Sequence, residues 1–234
     1  MRPINKGGSP IHRNEFDEYQ DALPYLIKRL GNYCSYCERY FDANLAVEHK
    51  SPKEPYRGEE RKWKNFLIAC TQCNSTKKNK DVDPTKWHDY VWPDLDDTYH
   101  MISYLPENAY EARPAKGLSN NDQVRVQRTL DLVKLNANAE EYDEIEYKNR
   151  LVKRQEVAKD CEDLKKQYFL AVKMAKEKPN EPYFQKNVQD ILENIKRIAK
   201  CSGCWSIWMN YFEGVQEVRE YLLGYNGTNR QYFS

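Results

Sequence analysis

Cys34 and Cys37 in "CSYC", with Cys70 and Cys73 in "ACTQC", make two Cys-x-x-Cys pairs. A tight turn at that spacing presents both sulfurs to one side, and two such pairs supply the four thiolates that Zn²⁺ takes in a structural site. The pattern therefore predicts a Zn²⁺ held by Cys34, Cys37, Cys70 and Cys73. A closed Cys₄ shell has no open position, so any reaction must take place beside it. Cys201 and Cys204 form a third pair with no fourth to complete a shell, and Cys161 is solitary. All three are expected to pack in the core.

The stretch between the knuckles holds the groups that could do chemistry. "NLAVEHK" places Glu48 beside His49. An imidazole is suited to taking a proton from water near neutral pH, and a carboxylate is a hard oxygen ligand for Mg²⁺ or Mn²⁺. On an extended strand these neighbours point to opposite faces, so only a strand end lets both serve one centre. From Lys50 to Lys80 there are nine Lys or Arg and three Glu, whereas the remainder of the chain holds 28 basic and 33 acidic residues. The net charge of +1 thus hides a local basic excess suited to a polyphosphate partner.

These groups need elements to position them. The pattern predicts a polar arm over 1–14, then a helix from Glu15 to Arg29 that Pro24 splits or kinks and Gly31 ends. "NLAVEHK" reads as a short strand, followed by a charged loop and "WKNFLIAC", and "TYHMISYL" and "NAYEARP" as a hairpin around Pro106. From Ser119 the character is helical. A capped helix carries an apolar face of Val124, Val126, Leu130 and Val133, a long helix runs from about Ala139 to Lys178, and another spans Pro182 to Lys200. The expected class is α+β, mostly α. The expected division is an arm and helix (1–32), a zinc-bearing core (33–86), a mixed hairpin segment (87–118) and a helical region (119–234). The 234 residues, 40% of them hydrophobic and 31% charged, suit a folded soluble chain. With no apolar run of membrane length and no apolar signal core, the expected location is the cytoplasm, without membrane contact.

The order Cys-x-x-Cys, Glu-His, Asn before an apolar run, then Cys-x-x-Cys-Asn-x-x-Lys resembles the HNH endonuclease family over about residues 33–80. The resemblance implies a ββα-metal nuclease core braced by the Cys₄ zinc. It implies His49 as the general base, Glu48 and Asn74 as ligands of a catalytic divalent cation, Mg²⁺ or Mn²⁺, and Asn65 as the residue that ties the loop after the first strand. The family often has His where Asn74 stands, and an amide oxygen favours a magnesium-type ion. Lys50, Lys53, Lys77, Lys78 and Lys80 would then contact phosphates of a DNA substrate.

Beyond the core, "MRPINKGGSP", "NSTKKNKDV" and "WPDLDDTY" are similar to the HNH nuclease subunits of Septu anti-phage systems. That similarity implies a defence role and an ABC-type ATPase partner, since the chain has no GxxxxGK[ST] phosphate loop of its own. The helices after Ser119 would carry the docking surface, although their aromatics Tyr168, Phe169, Trp205, Trp208, Tyr211 and Phe212 read more readily as bundle packing. Two alternatives stand beside this reading. One is a zinc-knuckle nucleic-acid-binding or assembly module that does not cut, and the other is an HNH nuclease of restriction or mobile-element type.

Overall fold

The computed structural model describes residues 1–78, 80–136 and 144–233, with the side chains of 144–149 outside that description. A 3-10 turn at Tyr19–Ala22 leads into α1 (Leu23–Leu30). The expected helix from Glu15 is therefore shorter: Pro24 lies in the first turn, where its missing N–H has no partner to lose. Gly31 follows with φ of 77°, a left-handed value that favours glycine.

β1 (Leu45–His49) and β2 (Phe66–Cys70) pair antiparallel, with Leu45 opposite Cys70 and His49 opposite Phe66. All five residues of β2 are buried, as its unbroken apolar run requires. α2 (Thr71–Lys77) begins where β2 ends, and Cys70 caps it by accepting a hydrogen bond from the Cys73 N–H at 3.5 Å. The ββα unit is therefore continuous in sequence except for the loop 50–65, which carries 3-10 turns at Arg57–Glu59 and Trp63–Asn65.

α3 (Thr98–Met101) replaces the start of the expected strand, because the Asp97 carboxylate accepts from the His100 N–H and caps a turn there. The hairpin is β3 (Ile102–Tyr104) and β4 (Ala112–Pro114), with Ile102 opposite Pro114. α4 (Asn120–Leu132) starts at Ser119, whose hydroxyl accepts from the Asp122 N–H at 3.1 Å. Val126, Leu130 and Val133 are buried as expected, whereas Val124 is 49% exposed and lies off that face.

α5 is described over Glu144–Glu177, so the expected start near Ala139 lies outside the described residues. It packs along α6 (Pro182–Ser202), and α7 (Trp205–Tyr211) and α8 (Gln216–Leu223) complete the helical part. Trp205, Trp208 and Phe212 are buried in the helical core, whereas Phe169 is exposed. Cys161 and Cys204 are buried, but Cys201 is exposed, which corrects its expected place in the core.

A continuous cluster of buried side chains runs from Ile4 through β2 to Leu222, so the helical part and the ββα unit share a core. The junction is close. A Cβ on Gly203 would lie 2.4 Å from the Glu38 carbonyl oxygen, and the Cys204 N–H donates to that carbonyl at 3.0 Å. Among the described residues no helix is long and apolar enough to cross a membrane.

Candidate metal centre and active site

The two knuckles converge because β1 pairs with β2. The first knuckle is tied to the strand by the Ser35 N–H, which donates to the Ile68 carbonyl at 2.8 Å. The second sits at the junction of β2 and α2. The sulfurs of Cys34, Cys37, Cys70 and Cys73 all lie within 4.8 Å of one another, and Cys37 and Cys70 are 3.9 Å apart. Zn–S bonds of about 2.3 Å in a tetrahedron put sulfurs roughly 3.8 Å apart, so the cluster fits Zn²⁺. It is the one group of metal-capable side chains found among the described residues. Four thiolates around Zn²⁺ carry surplus negative charge. The buried Arg150 guanidinium donates to Cys73 Sγ at 3.5 Å and bonds the Val133 and Lys134 carbonyls. The sequence gives no signal for Arg150, which lies 77 residues from Cys73.

Glu48 and His49, adjacent on β1, do point to opposite sides. Glu48 faces the knuckle and α2. Its Oε1 is 3.1 Å from Lys77 Nζ, and the Tyr36 hydroxyl approaches the same oxygen at 3.4 Å. Burial pushes the Glu48 carboxyl up to about 6 against the opposing pull of Lys77. Lys77 also donates to the His49 carbonyl at 2.6 Å, so one ammonium binds both residues of the pair.

His49 faces the loop. Its ring meets Tyr19 and Phe66 edge-on, at centroid distances of 4.9 and 5.2 Å. The Glu60 carbonyl can only accept, so the 2.8 Å contact is a hydrogen bond donated by His49 Nε2–H. That fixes the tautomer and leaves Nδ1 as the basic nitrogen. Burial, aided by the charges of Lys53 and Lys77, holds the imidazole down to about 4, so it is neutral at physiological pH.

Asn65, fully buried, braces the same loop. Its Oδ1 accepts from the Ser51 N–H at 2.8 Å, and its Nδ2 donates to the carbonyls of Ser51 at 3.0 Å and Glu59 at 3.1 Å. The amide thus joins both ends of the segment that presents the Glu60 carbonyl to His49. Asn74 lies half-buried on α2, three residues before Lys77 and so on the same side of the helix. Glu48 and Asn74 each carry a hard oxygen of the kind that Mg²⁺ or Mn²⁺ takes, and the Glu48 carboxylate is held by the Lys77 ammonium.

The basic residues divide. Lys50 and Lys77 are buried and ion-paired, Lys50 with Asp94 at 3.0 Å and Lys77 with Glu48, so both ammoniums are held by internal carboxylates. Lys80 is half-buried and donates to the Asp131 and Leu132 carbonyls at the end of α4, a C-capping contact. These three depart from the expected phosphate track because buried ammoniums need fixed acceptors. Lys53 and Lys78 are exposed, and Lys53 Nζ lies 4.5 Å from the ring of Tyr19, the neighbour of His49. Tyr36, Asp94 and the Glu60 carbonyl are partners that residue spacing does not announce.

Comparison with known proteins agrees with this geometry. The chain is 36% identical over 59 residues to the Septu protein PtuB of Bacillus thuringiensis. That stretch covers 24% of this chain and 23% of the relative, so the chain matches less than a quarter of that protein's length. Residues 34–80, from Cys34 through α2 to Lys80, match the family model of the HNH endonucleases.

Proposed function

We infer that the chain is a metal-dependent HNH endonuclease that hydrolyses phosphodiester bonds of DNA. The observation that carries this reading is the state of His49: neutral, its Nε2–H fixed by the Glu60 carbonyl, and its Nδ1 basic. A module that only binds nucleic acid has no use for a histidine held in one tautomer by a braced loop.

In this reading His49 Nδ1 accepts the proton of the attacking water, and Asn65 keeps the loop from moving away from the ring. Glu48 and Asn74 would hold a divalent cation, which would supply positive charge to offset that on the phosphate oxygens. Lys77 then serves the site from inside, holding the β1 backbone at His49 and the Glu48 carboxylate in register. Lys53 and Lys78 meet flanking phosphates. The products carry 5′-phosphate and 3′-hydroxyl ends. The similarity to PtuB supports work in anti-phage defence beside an ABC-type ATPase subunit.

The test is cleavage of DNA by the chain with Mg²⁺ or Mn²⁺, alone and with its co-expressed ATPase partner. His49→Ala is expected to abolish cleavage while zinc content and melting temperature stay near wild type. Full cleavage by that variant removes His49 as the base.

A further inference from the structure

A cavity of about 600 Å³ is lined by the N-terminal arm and by both ends of the 50–65 loop. Its volume falls within the range of small-molecule pockets, about 300–1,000 Å³. Residues 5–9 form one wall, and the Trp63 indole N–H fixes that wall by donating to the Gly7 carbonyl at 2.8 Å. Lys50, residues 62–64, Trp87 and Asp94 line the rest.

The lining holds five cationic side chains, Lys6, Arg13, Lys50, Lys62 and Lys64, against two carboxylates, Glu15 and Asp94. The surplus is built into the floor. Asp94, 2% exposed, accepts from both Lys6 at 2.8 Å and Lys50 at 3.0 Å, whose side chains are 8% and 1% exposed. Two buried ammoniums therefore share one carboxylate. Lys6 also donates to the carbonyls of Lys64 at 3.1 Å and Phe66 at 2.5 Å, which satisfy its hydrogen bonds but leave a net positive charge among these three side chains. The π-face of Trp87, 4.1 Å from Lys50 Nζ, offsets part of that charge. The rim repeats the ratio, since Lys62 and Lys64 share Glu59 at 2.9 and 3.1 Å. Arg13 at the mouth is exposed. Buried charge of one sign is costly without a partner, and a pocket walled by protein concentrates its field on an entering anion.

We propose that this pocket binds a nucleotide unit, its phosphate held by Arg13, Lys62 and Lys64 above the Lys6–Asp94–Lys50 floor and its base against Trp87. An indole supplies a face on which any base can stack. The unit can be a free mononucleotide or one residue of a strand. Lys50 directly follows His49, and Trp63–Lys64 directly precede Asn65, so a strand held here lies beside the reacting centre. The pocket stands on its own charge and shape, whether or not His49 cuts.

The test is titration calorimetry of the full, zinc-loaded chain without added Mg²⁺ or Mn²⁺. The probes are adenosine 5′-monophosphate, inorganic phosphate and a short single-stranded oligodeoxynucleotide. The mononucleotide or the oligonucleotide is expected to bind more tightly than inorganic phosphate. Arg13→Ala and Lys64→Ala are each expected to weaken that binding about tenfold, the scale of one charge-assisted hydrogen bond. Trp87→Leu is expected to remove the preference over inorganic phosphate. Saturable binding of the mononucleotide identifies a free-nucleotide site, whereas binding of the oligonucleotide alone identifies a strand site. The proposal is overturned if neither nucleotide probe binds, or if the Arg13 and Lys64 variants bind both as wild type does. A chain that binds but does not cleave with Mg²⁺ keeps this site and loses only the nuclease reading.

Discussion

At the scale of single residues, His49 and Glu48 respond to burial in opposite directions. His49 is held to about 4, below the ordinary 6.5, so between those values the unfolded chain binds a proton that the folded chain does not. Its contribution to stability is complete above 6.5 and is lost as pH falls toward 4. Glu48 is raised to about 6 from 4.5, so the folded chain holds the extra proton there, and its contribution is lost as pH rises through 6. The larger displacement belongs to His49, and acid therefore weakens the pair overall. Nitrogen-15 NMR is expected to find His49 as the neutral Nε2–H tautomer at pH 7 and still at pH 5.5. An imidazole that titrates near 6.5 contradicts the buried geometry. The residues behind this behaviour were partly legible: Glu48, His49 and Asn65 stand out by type and order. The Glu60 carbonyl and the Tyr36 hydroxyl do not, because a backbone oxygen has no sequence signature and Tyr36 resembles any residue inside a knuckle.

At the scale of elements, the ββα unit is positioned by what packs behind it. Gly203, at the end of α6, has φ of 70° and lies against the backbone of Glu38 and Tyr40, just after the first knuckle. Glu38 in turn accepts from the Ser206 hydroxyl at 2.6 Å, which joins the knuckle to α7. Gly203→Ala is expected to lower stability by roughly 2 kcal/mol or more, since the methyl meets fixed backbone as well as an unfavourable φ. Gly117 has φ of 86° with nothing within 4 Å of its Cβ position, so Gly117→Ala isolates the φ cost, about 1 kcal/mol. Equal melting temperatures for the two variants contradict the close packing at Gly203. Element types were legible where periodicity was strong, as in α4 and α6. α1 starts later than its periodicity predicts, because Pro24 lies in the first turn, the one place where proline suits a helix, and not at a kink.

At the scale of the whole molecule, the four-cysteine cluster lies within a continuous core. Arg150 from α5 reaches Cys73, and buried side chains run from the N-terminal arm to α8. Structural zinc contributes folding free energy directly. Cys70→Ser is expected to lose zinc and to lower the melting temperature on the order of 10 °C or more, in one transition monitored by far-UV circular dichroism. A separate early transition limited to residues 33–80, with the helices melting as in wild type, contradicts the shared core. Whether the helical region stands apart was not legible in the sequence, because helix periodicity shows that a face is apolar but not what it packs against.

The sequence by itself determined the thiolate set, the Glu-His pair, the asparagine before β2 and the switch to helix after Ser119. Each of these depends on short-range spacing, where a few covalent links fix what can meet. Tertiary structure alone decided what became of the lysines. Lys50, Lys77 and Lys80 differ from Lys53 and Lys78 in nothing a local pattern records. Their roles depend on Asp94, Glu48 and the carbonyls closing α4, partners that only folding brings within reach. Because a buried ammonium is stable only beside an acceptor, the fold turned three expected phosphate contacts into internal ties. It also gathered the surplus charge of Lys6 and Lys50 around one carboxylate.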